Sequence, residues 1–259
     1  MDMLPPGAHN PWRARTRHSE MLEPMNILVT FAVQAEFVPW QRRRNFRRAS
    51  SSWPLFETEF GNARVRAILT GMGKSHALEA VRRILPERPD ICISTGLAGA
   101  LQSKFRPGDI LVARLVSAAG EPAAVASHRE LLSTAVDCGA KQVERFTTSQ
   151  TVVASAQEKR HLKNEAEAVE MESYTILAEA ARYGVPSVAI RAISDTADFD
   201  MPYDLERACD IHGQIRLGSI VTQVLRRPSG LPALLRLARN CRAASRDLAD
   251  FLDVFAGTL

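Results

Sequence analysis

Short runs of apolar and β-branched residues recur along the chain and predict buried strands. The clearest runs are NILVTFAV (26–33), ARVRAILT (63–70), DICIST (90–95), DILVARLVS (109–117) and VPSVAIRAIS (185–194), and QVERFTTSQTVVA (142–154) is also strand-like. Glycine, proline and polar residues separate these runs, so each run forms a separate element.

Helical spacing of apolar residues predicts helices between these strands. The segments are SHALEAVRRIL (75–85), HRELLSTAVDCGA (128–140), SAQEKRHLKN (155–164) and the stretch that follows VEMES (169–173). Gly139 and Gly184 are placed to end the second and the last of these helices. Ser155 with Glu158 three residues later has the spacing of a capping box, which predicts the start of the third.

Strands and helices alternate along the chain without an internal repeat. This order indicates an α/β protein whose mostly parallel sheet carries helices on both faces, a three-layer sandwich. A length of 259 residues favours one large domain. We expect a disordered tail rich in Pro and Arg at 1–24, the α/β domain at 25–228 and a C-terminal helical extension at 229–259.

The C-terminal segment predicts an amphipathic helix, after a long helix from about Asp204 to Leu225. Its apolar seam consists of Leu231, Leu234, Ala238, Cys241, Leu248, Leu252 and Phe255, with Arg and Asp on the other faces. Two interpretations stay open: the seam packs against its own domain, or it makes a contact between subunits.

Composition and charge are those of an ordinary soluble protein, with 46% hydrophobic and 24% charged residues and a formal net charge of +4. The dense basic run RRRNFRR (42–48) is interpreted as a solvated loop, with a phosphate or membrane surface as the alternative partner. Because no nucleic-acid-binding motif and no aromatic platform accompanies the basic residues, we expect no nucleic-acid partner.

The four cysteines are scattered at Cys92, Cys138, Cys209 and Cys241, without the spacing of metal ligands. We therefore expect no metal site, no cofactor and a reducing, cytoplasmic location. No apolar run approaches the roughly 18 residues that a membrane span needs, and the first 24 residues lack the apolar stretch of a secretory signal.

Acidic residues follow several predicted strands, at the edge of the sheet where ligands bind in this fold class. Glu36 follows the first strand, Glu170 and Glu172 lie in VEMES, and Asp195 and Asp198 lie in SDTAD. Such acids can cap helices or complement the helix dipole. They can also cleave a glycosidic bond, where one acid protonates the leaving group and another activates water. The pattern alone leaves both interpretations open.

Two glycine-rich segments, GMGKSH (71–76) and GLAGAL (96–101), are predicted as tight turns. Neither has the spacing of a phosphate-binding P-loop or of a dinucleotide fingerprint. Glycines at such turns allow backbone N–H groups to approach a ligand closely. The Glu172 carboxylate and the neighbouring Met171 thioether are suited to a sugar, since one accepts hydrogen bonds from vicinal hydroxyls and the other packs on a ring.

Together these motifs resemble the nucleoside phosphorylase/nucleosidase superfamily, in particular its methylthioadenosine/S-adenosylhomocysteine nucleosidase branch. The matching pieces are Glu36 after the opening strand, TGMGKSHA, ISTGLAGAL, RPGDILVA, AVEMES and VPSVAIRAISDTAD, over roughly residues 26–200. VEME and SDTAD, in that order and at that distance, are the specific part of the resemblance.

The resemblance implies a single α/β domain with a central mixed sheet, a homo-oligomer with a dimer favoured, and release of adenine from a 5′-modified adenosine. By position, Asp195 would protonate the imidazole-ring nitrogen of the leaving purine and Glu36 would position or activate water. Glu172 would bind the ribose hydroxyls, and loop residues near 151–153 would hold the base. The implied substrate-binding residues are Glu172, Met171, Val153, Val152, Ala98, Gly99 and Ser194.

Departures from the family pattern bear on the reaction and the substrate. Leu97 stands where phosphorylases carry Ser or Thr, and their early Gly-Asp-Pro…Arg motif is absent, which favours hydrolysis over phosphorolysis. The segment VSAAGEPAAVASHRE (116–130) is shortened as in hopanoid-associated nucleosidases, which implies a larger 5′ group and makes peripheral membrane contact an alternative. The C-terminal helix is expected to have no counterpart in compact nucleosidases. A phosphorylase and a catalytically silent nucleoside-binding protein stay open.

Overall fold

The computed structural model of the protein describes residues 24–204 and 216–259. Residues 1–23 of the predicted tail, and 205–215 of the predicted long helix, lie outside the described residues. The strands are β1 (Met25–Phe31), β2 (Arg47–Arg48), β3 (Leu55–Phe60), β4 (Ala63–Leu69), β5 (Ile91–Ser94), β6 (Leu97–Ala100), β7 (Ile110–Ala118), β8 (Val125–Ala126), β9 (Lys141–Thr148), β10 (Ala168–Glu170) and β11 (Ser187–Asp195).

Seven α-helices are described, and they lie between or after the strands. They are α1 (Gln34–Arg44), α2 (Lys74–Ile84), α3 (Arg129–Asp137), α4 (Ala156–Leu162), α5 (Ser173–Arg182), α6 (Leu217–Arg226) and α7 (Leu231–Thr258). Within these residues, no helix is both long enough and apolar enough to cross a membrane.

The described strands form one sheet in the order β2-β3-β4-β1-β5-β11-β6-β10-β9-β7-β8, with a further pairing of β11 with β7. The central strands β4, β1, β5 and β11 are parallel, whereas β3 runs antiparallel to β4 and β7 runs antiparallel to β11. The predicted mixed, mostly parallel sheet is confirmed. Strand β11 pairs with β5, β6 and β7, and helices α5 and α7 pack against it, so all nine of its residues are buried.

Two predicted irregular segments are ordered elements. Leu97–Ala100, predicted as part of a glycine-rich turn, forms β6, because its backbone pairs with β11 on one side and β10 on the other.

The basic run 42–48, predicted as a solvated loop, comprises the end of α1 and the strand β2. There Arg43 and Arg44 form ion pairs with Asp250 and Asp253 of α7. The sequence pattern also missed β3.

Helix α7 packs against its own domain, as one of the two interpretations predicted. Leu248, Leu252 and Phe255 are fully buried and belong to the same hydrophobic core as β1, whereas Leu231 at the start of the helix is exposed. The Trp40 indole N–H donates to Asp253 Oδ1 over 3.0 Å, which ties α7 to α1. A subunit contact through the remaining face of α7 stays a prediction.

The predicted capping box at the start of α4 is confirmed. Ser155 Oγ accepts a hydrogen bond from Glu158 N over 3.2 Å, and Glu158 Oε2 accepts from Ser155 N over 2.9 Å. Asp200 Oδ1, in the loop after β11, accepts from Ala156 N over 2.7 Å. The first turn of α4 is therefore held against the loop that follows the last central strand.

Replacing Ser155 by Ala is expected to lower the free energy of unfolding by about 0.5–2 kcal/mol, because the N–H of Glu158 loses its capping acceptor. Urea-induced unfolding followed by circular dichroism measures the change. Ser133→Ala is the matched control, since Ser133 is exposed within α3 and alanine there has a better helix propensity. Equal stability of the two variants would contradict the capping role.

Candidate active site

A cavity of about 200 Å³ opens at the carboxyl ends of β1, β10 and β11. Every site residue implied by the sequence resemblance lines it: Glu36, Ala98, Gly99, Val152, Val153, Met171, Glu172, Ser194 and Asp195. The strand ends bring these residues together from five separate segments of the chain. Their individual roles stay predictions, because the cavity shows proximity and not chemistry.

Glu36 lies in the first turn of α1 and its carboxylate is held by backbone groups. Oε2 accepts from Ala32 N over 3.0 Å and from Val33 N over 3.3 Å, and Oε1 accepts from Leu97 N over 2.9 Å. Burial raises the pKa of Glu36 above its ordinary value, although the Leu97 hydrogen bond and the charge of Arg191 oppose the rise. A carboxylate with a raised pKa is a better proton acceptor near neutral pH.

Two glycines of GLAGAL are required by the close approach of acidic side chains. Gly96 has φ +141°, and a Cβ atom there would lie 3.0 Å from both Glu36 carboxyl oxygens and 3.1 Å from Arg191 Nη1. A Cβ at Gly99 would lie 3.1 Å from Asp195 Oδ2. These glycines therefore make room for the carboxyl groups that line the cavity.

Arg191 was missed by sequence reasoning, although it is the one basic residue of the apolar strand β11. It is 1% exposed, and its Nη2 donates to Glu170 Oε2 over 2.6 Å and to Ser173 Oγ over 2.9 Å. Glu172 Oε2 lies 3.7 Å from the same Nη2 atom. The available signal was a lone arginine within an apolar strand. In a chain with acids at the strand ends, such an arginine indicates a buried ion pair.

Glu170 and Glu172 have different surroundings. Burial would raise the pKa of Glu170, but Arg191 and hydrogen bonds from Thr148 and from the start of α5 hold it below its ordinary value. Burial raises the pKa of Glu172 to about 8, since the charge of Arg191 offsets it only in part and Glu170 adds repulsion. Glu170 is therefore a structural carboxylate, whereas Glu172 is a nearly neutral group that faces the cavity.

Asp195 ends β11 and is 2% exposed. Ser194 Oγ donates to its Oδ1 over 2.6 Å, and Lys159 Nζ forms an ion pair with its Oδ2. Lys159 was missed, because nothing in the pattern of α4 distinguishes it from a surface lysine. Asp198, in contrast, is solvent-facing, and a hydrogen bond from Thr196 lowers its pKa.

Helix α7 contributes Leu237 and Cys241 to the cavity wall, which also includes Val152 and Val153. Burial, with the charges of Asp195 and Glu36, raises the pKa of Cys241 to about 12, so this thiol stays neutral and packs as a small apolar group. No group of three or more His, Cys, Asp or Glu side chains in 24–204 and 216–259 is arranged to hold a metal ion.

Comparison with known proteins shows a family and a fold. The family model described as the phosphorylase superfamily matches residues 27–226. The futalosine hydrolase mutant of Helicobacter pylori is 18% identical with a TM-score of 0.70, covering 91% of this chain and 100% of that chain. The S-adenosylhomocysteine nucleosidase of Streptococcus pyogenes with 5-methylthiotubericidin is 20% identical with a TM-score of 0.72, covering 93% and 99%.

The 5′-methylthioadenosine/S-adenosylhomocysteine nucleosidase of Neisseria meningitidis with methylthio-immucillin-A is 22% identical, with a TM-score of 0.69 and coverage of 91% of this chain and 100% of that chain. The uncovered remainder of this chain is shorter than the 28 residues of α7. At least part of α7 therefore has a counterpart in this fold, and the prediction that the C-terminal helix has none is wrong.

Proposed function

The chain belongs to the phosphorylase superfamily, and from this premise we propose that it hydrolyses the N-glycosidic bond of a 5′-modified adenosine and releases adenine. The observation that carries the proposal is that Asp195, Glu36 and Glu172, from three distant segments, line one cavity at the strand ends. A proton donor, a proton acceptor and a sugar-binding carboxyl group are the parts that this reaction needs.

Asp195 is proposed as the general acid. The purine leaves as an anion unless a ring nitrogen is protonated while the C1′–N9 bond breaks, so a buried acid beside the base lowers the barrier. The Ser194 hydroxyl fixes the Asp195 carboxyl by its 2.6 Å hydrogen bond. The backbone of Val152 and Val153 is proposed to hold the base on the facing side.

Glu36 is proposed to accept a proton from the attacking water. Its three backbone hydrogen bonds leave little freedom of rotation, which is the preorganisation that an attacking water needs. As the bond to the base breaks, C1′ acquires positive charge, and carboxylates near the sugar stabilise this oxocarbenium ion. Water then forms the new bond to C1′ and gives its proton to Glu36.

Glu172 and Met171 are proposed to bind the ribose. The Glu172 carboxyl group keeps one oxygen in a 2.7 Å hydrogen bond with Gly73 N. A carboxyl group near its pKa of about 8 can donate to one ribose hydroxyl or accept from it. The Met171 side chain, at the same cavity wall, offers a flexible apolar surface to the sugar ring.

The charges around the cavity favour water over phosphate as the nucleophile. The carboxyl groups of Glu36, Glu170 and Glu172 lie close enough to act on the guanidinium of Arg191, and this guanidinium already donates to Glu170. A phosphate dianion at Arg191 would therefore be repelled by the carboxylates of Glu36 and Glu170. Leu97 adds no hydroxyl where a phosphate would need a donor. These features support hydrolysis over phosphorolysis.

The test measures the free base released with and without inorganic phosphate. The base is adenine for methylthioadenosine, S-adenosylhomocysteine and adenosylhopane, and hypoxanthine for futalosine. We expect base release without phosphate from at least one substrate, and the best substrate identifies the 5′ group. Production of ribose 1-phosphate that depends on phosphate would overturn the hydrolase proposal. Tight nucleoside binding without turnover would establish the silent binding protein instead.

The assembly and location follow from the same proposal and stay predictions. We predict a homo-oligomer, with a dimer favoured, and a cytoplasmic location. A peripheral membrane contact stays the alternative for the basic run 42–48. Two arginines of that run are already paired with α7, which weakens the case for lipid contact there.

A further inference from the structure

The ion pair of Lys159 with Asp195 is buried to an unusual degree for two charged groups. The Lys159 side chain is 1% exposed and the Asp195 side chain is 2% exposed. Taking a lysine and an aspartate out of water costs more than their attraction returns in many proteins. A buried pair at the centre of a proposed active site therefore calls for a role beyond stability.

Lys159 Nζ also binds the loop that follows Asp195. It donates to the carbonyl oxygen of Thr196 over 2.8 Å and to that of Phe199 over 3.4 Å. Lys159 lies on α4, directly after the loop with Val152 and Val153 that lines the cavity. One ammonium group thus connects the acid to the chain that follows it.

We propose that Lys159 is a positioning residue that keeps a transferable proton on the Lys159–Asp195 pair, so that Asp195 can protonate the leaving base at neutral and alkaline pH. The inference rests on the proposed function. It assigns to Lys159 a task that sequence reasoning did not, and it explains why a buried ammonium contacts the carboxyl oxygen of the acid.

Lys159 Nζ passes its proton to the Asp195 carboxylate, and Asp195 gives this proton to the ring nitrogen of the purine as the electron pair of the C1′–N9 bond moves into the base. The pair is left as a neutral amine and a carboxylate. Water bonds to C1′ and gives its proton to Glu36. After the products leave, Glu36 releases its proton to solvent and Lys159 regains one, so one proton enters and one leaves in each turnover.

The advantage of the pair over a lone carboxyl group is that it carries its own proton donor. Because Lys159 Nζ contacts Asp195 Oδ2 directly, the pair can present a protonated carboxyl group without taking up a proton from solvent. A lone buried aspartate would have to take that proton from solvent before each turnover.

Other charged and titratable groups face the pair from each packed element. Asp198 lies near Lys159 on the loop after β11. Cys241 of α7 faces both Asp195 and Glu36. The thiol is neutral and Asp198 is solvent-facing, so neither can replace the buried ammonium as a proton source. Gly99 of β6 lies next to Asp195 but has no side chain, so it offers no titratable group at this position.

The experiment compares pH profiles of kcat for the wild type, Lys159→Met and Lys159→Arg, with the best substrate of the base-release assay. Lys159→Met removes the proton and keeps the length of the side chain. We expect its kcat to fall by about 10²–10⁴-fold at pH 8.5, the usual contribution of acid catalysis, and far less at pH 5.5, where solvent is a better source of the missing proton. KM should change little.

Lys159→Arg separates proton supply from structure and is the second variant should the methionine variant fail to fold. Arginine keeps the charge and the donors but does not release a proton in proteins. We expect kcat of this variant to be low at both pH values. Lys163→Met, at an exposed position that follows α4, is the control and should keep the wild-type profile. Thermal melting verifies that each variant is folded.

The outcomes distinguish this inference from the proposed function. A wild-type chain that releases no base overturns both. If the wild type releases base and Lys159→Arg has the same kcat and pH profile, a positive charge at this position is sufficient. That result overturns the inference and leaves the proposed function intact. The inference would also be overturned if Lys159→Met lowered kcat equally at every pH and Lys159→Arg had the kcat of the wild type.

Discussion

Asp195→Asn is expected to lower kcat for base release by about 10²–10⁴-fold, with a much smaller change in KM. The amide preserves the size of the side chain, and its single oxygen can still accept a hydrogen bond from Lys159 while its NH2 group faces the Ser194 hydroxyl. It cannot give a proton to the purine, so the leaving group would depart as an anion. The loss therefore falls on the transition state and not on the bound substrate.

Asp198→Asn is the matched control for this substitution. Asp198 lies three residues after Asp195, in the loop that follows β11, but it faces solvent and interacts with Thr196. Its replacement should leave kcat close to that of the wild type. Single-turnover measurement of base release for both variants, with circular dichroism to verify the fold, makes the comparison. An Asp195→Asn variant with unchanged kcat would exclude Asp195 as the general acid.

Arg191→Met is expected to lower the free energy of unfolding by about 3–5 kcal/mol, the usual cost of removing one partner of a buried ion pair. Arg191 is fully buried, and its guanidinium lies between the carboxylates of Glu170 and Glu172. Without it, two acids would lie in the protein interior with no cation between them. Chemical denaturation at neutral pH measures the loss.

The destabilisation by Arg191→Met should diminish as the pH falls. Without the guanidinium, the pKa values of Glu170 and Glu172 rise in the folded state, so the folded variant binds more protons than the unfolded chain. Its stability is then greatest at low pH and decreases as the pH rises through those values. A loss of equal size at pH 5.5 and pH 8.5 would contradict the electrostatic explanation.

Arg82→Met provides the control for the buried arginine. Arg82 forms an ion pair with Glu179 over 2.9 Å, but its side chain is 51% exposed. Pairs of this kind contribute about 0–1 kcal/mol, and Arg182 still pairs with the same carboxylate. The difference between the two variants therefore measures the effect of burial on an arginine–glutamate pair.

Much of the candidate site could be predicted from the sequence, because its acids follow strands. Glu36, Glu172 and Asp195 each come directly after an apolar run or a short strand, and the carboxyl ends of such strands meet at one edge of a sheet. The glycines at 96 and 99 belong to a motif that is visible in the sequence, although its backbone forms β6 and not the predicted turn.

The partners of these acids could not be predicted in the same way. Lys159 and Asp195 are separated by 36 residues, and Cys241 and Leu237 reach the cavity from a helix near the end of the chain. The pairing of a helix lysine with a strand aspartate depends on how α4 docks beside β11. Sequence periodicity reports which face of an element is apolar, but it does not report which other element covers that face.

The sequence by itself determined the alternation of strands and helices, the mostly parallel sheet and the identity of the three acids at the strand ends, because these depend on local patterns of apolar residues and on motifs of a few residues. Only the tertiary structure decided that β6 is a strand, that α7 contributes to the cavity wall and that Arg191 and Lys159 pair with buried carboxylates. Those features arise from contacts between residues far apart in the chain. A buried charge destabilises the folded state unless an opposite charge or a hydrogen-bond partner lies near it, and only the fold brings that partner close.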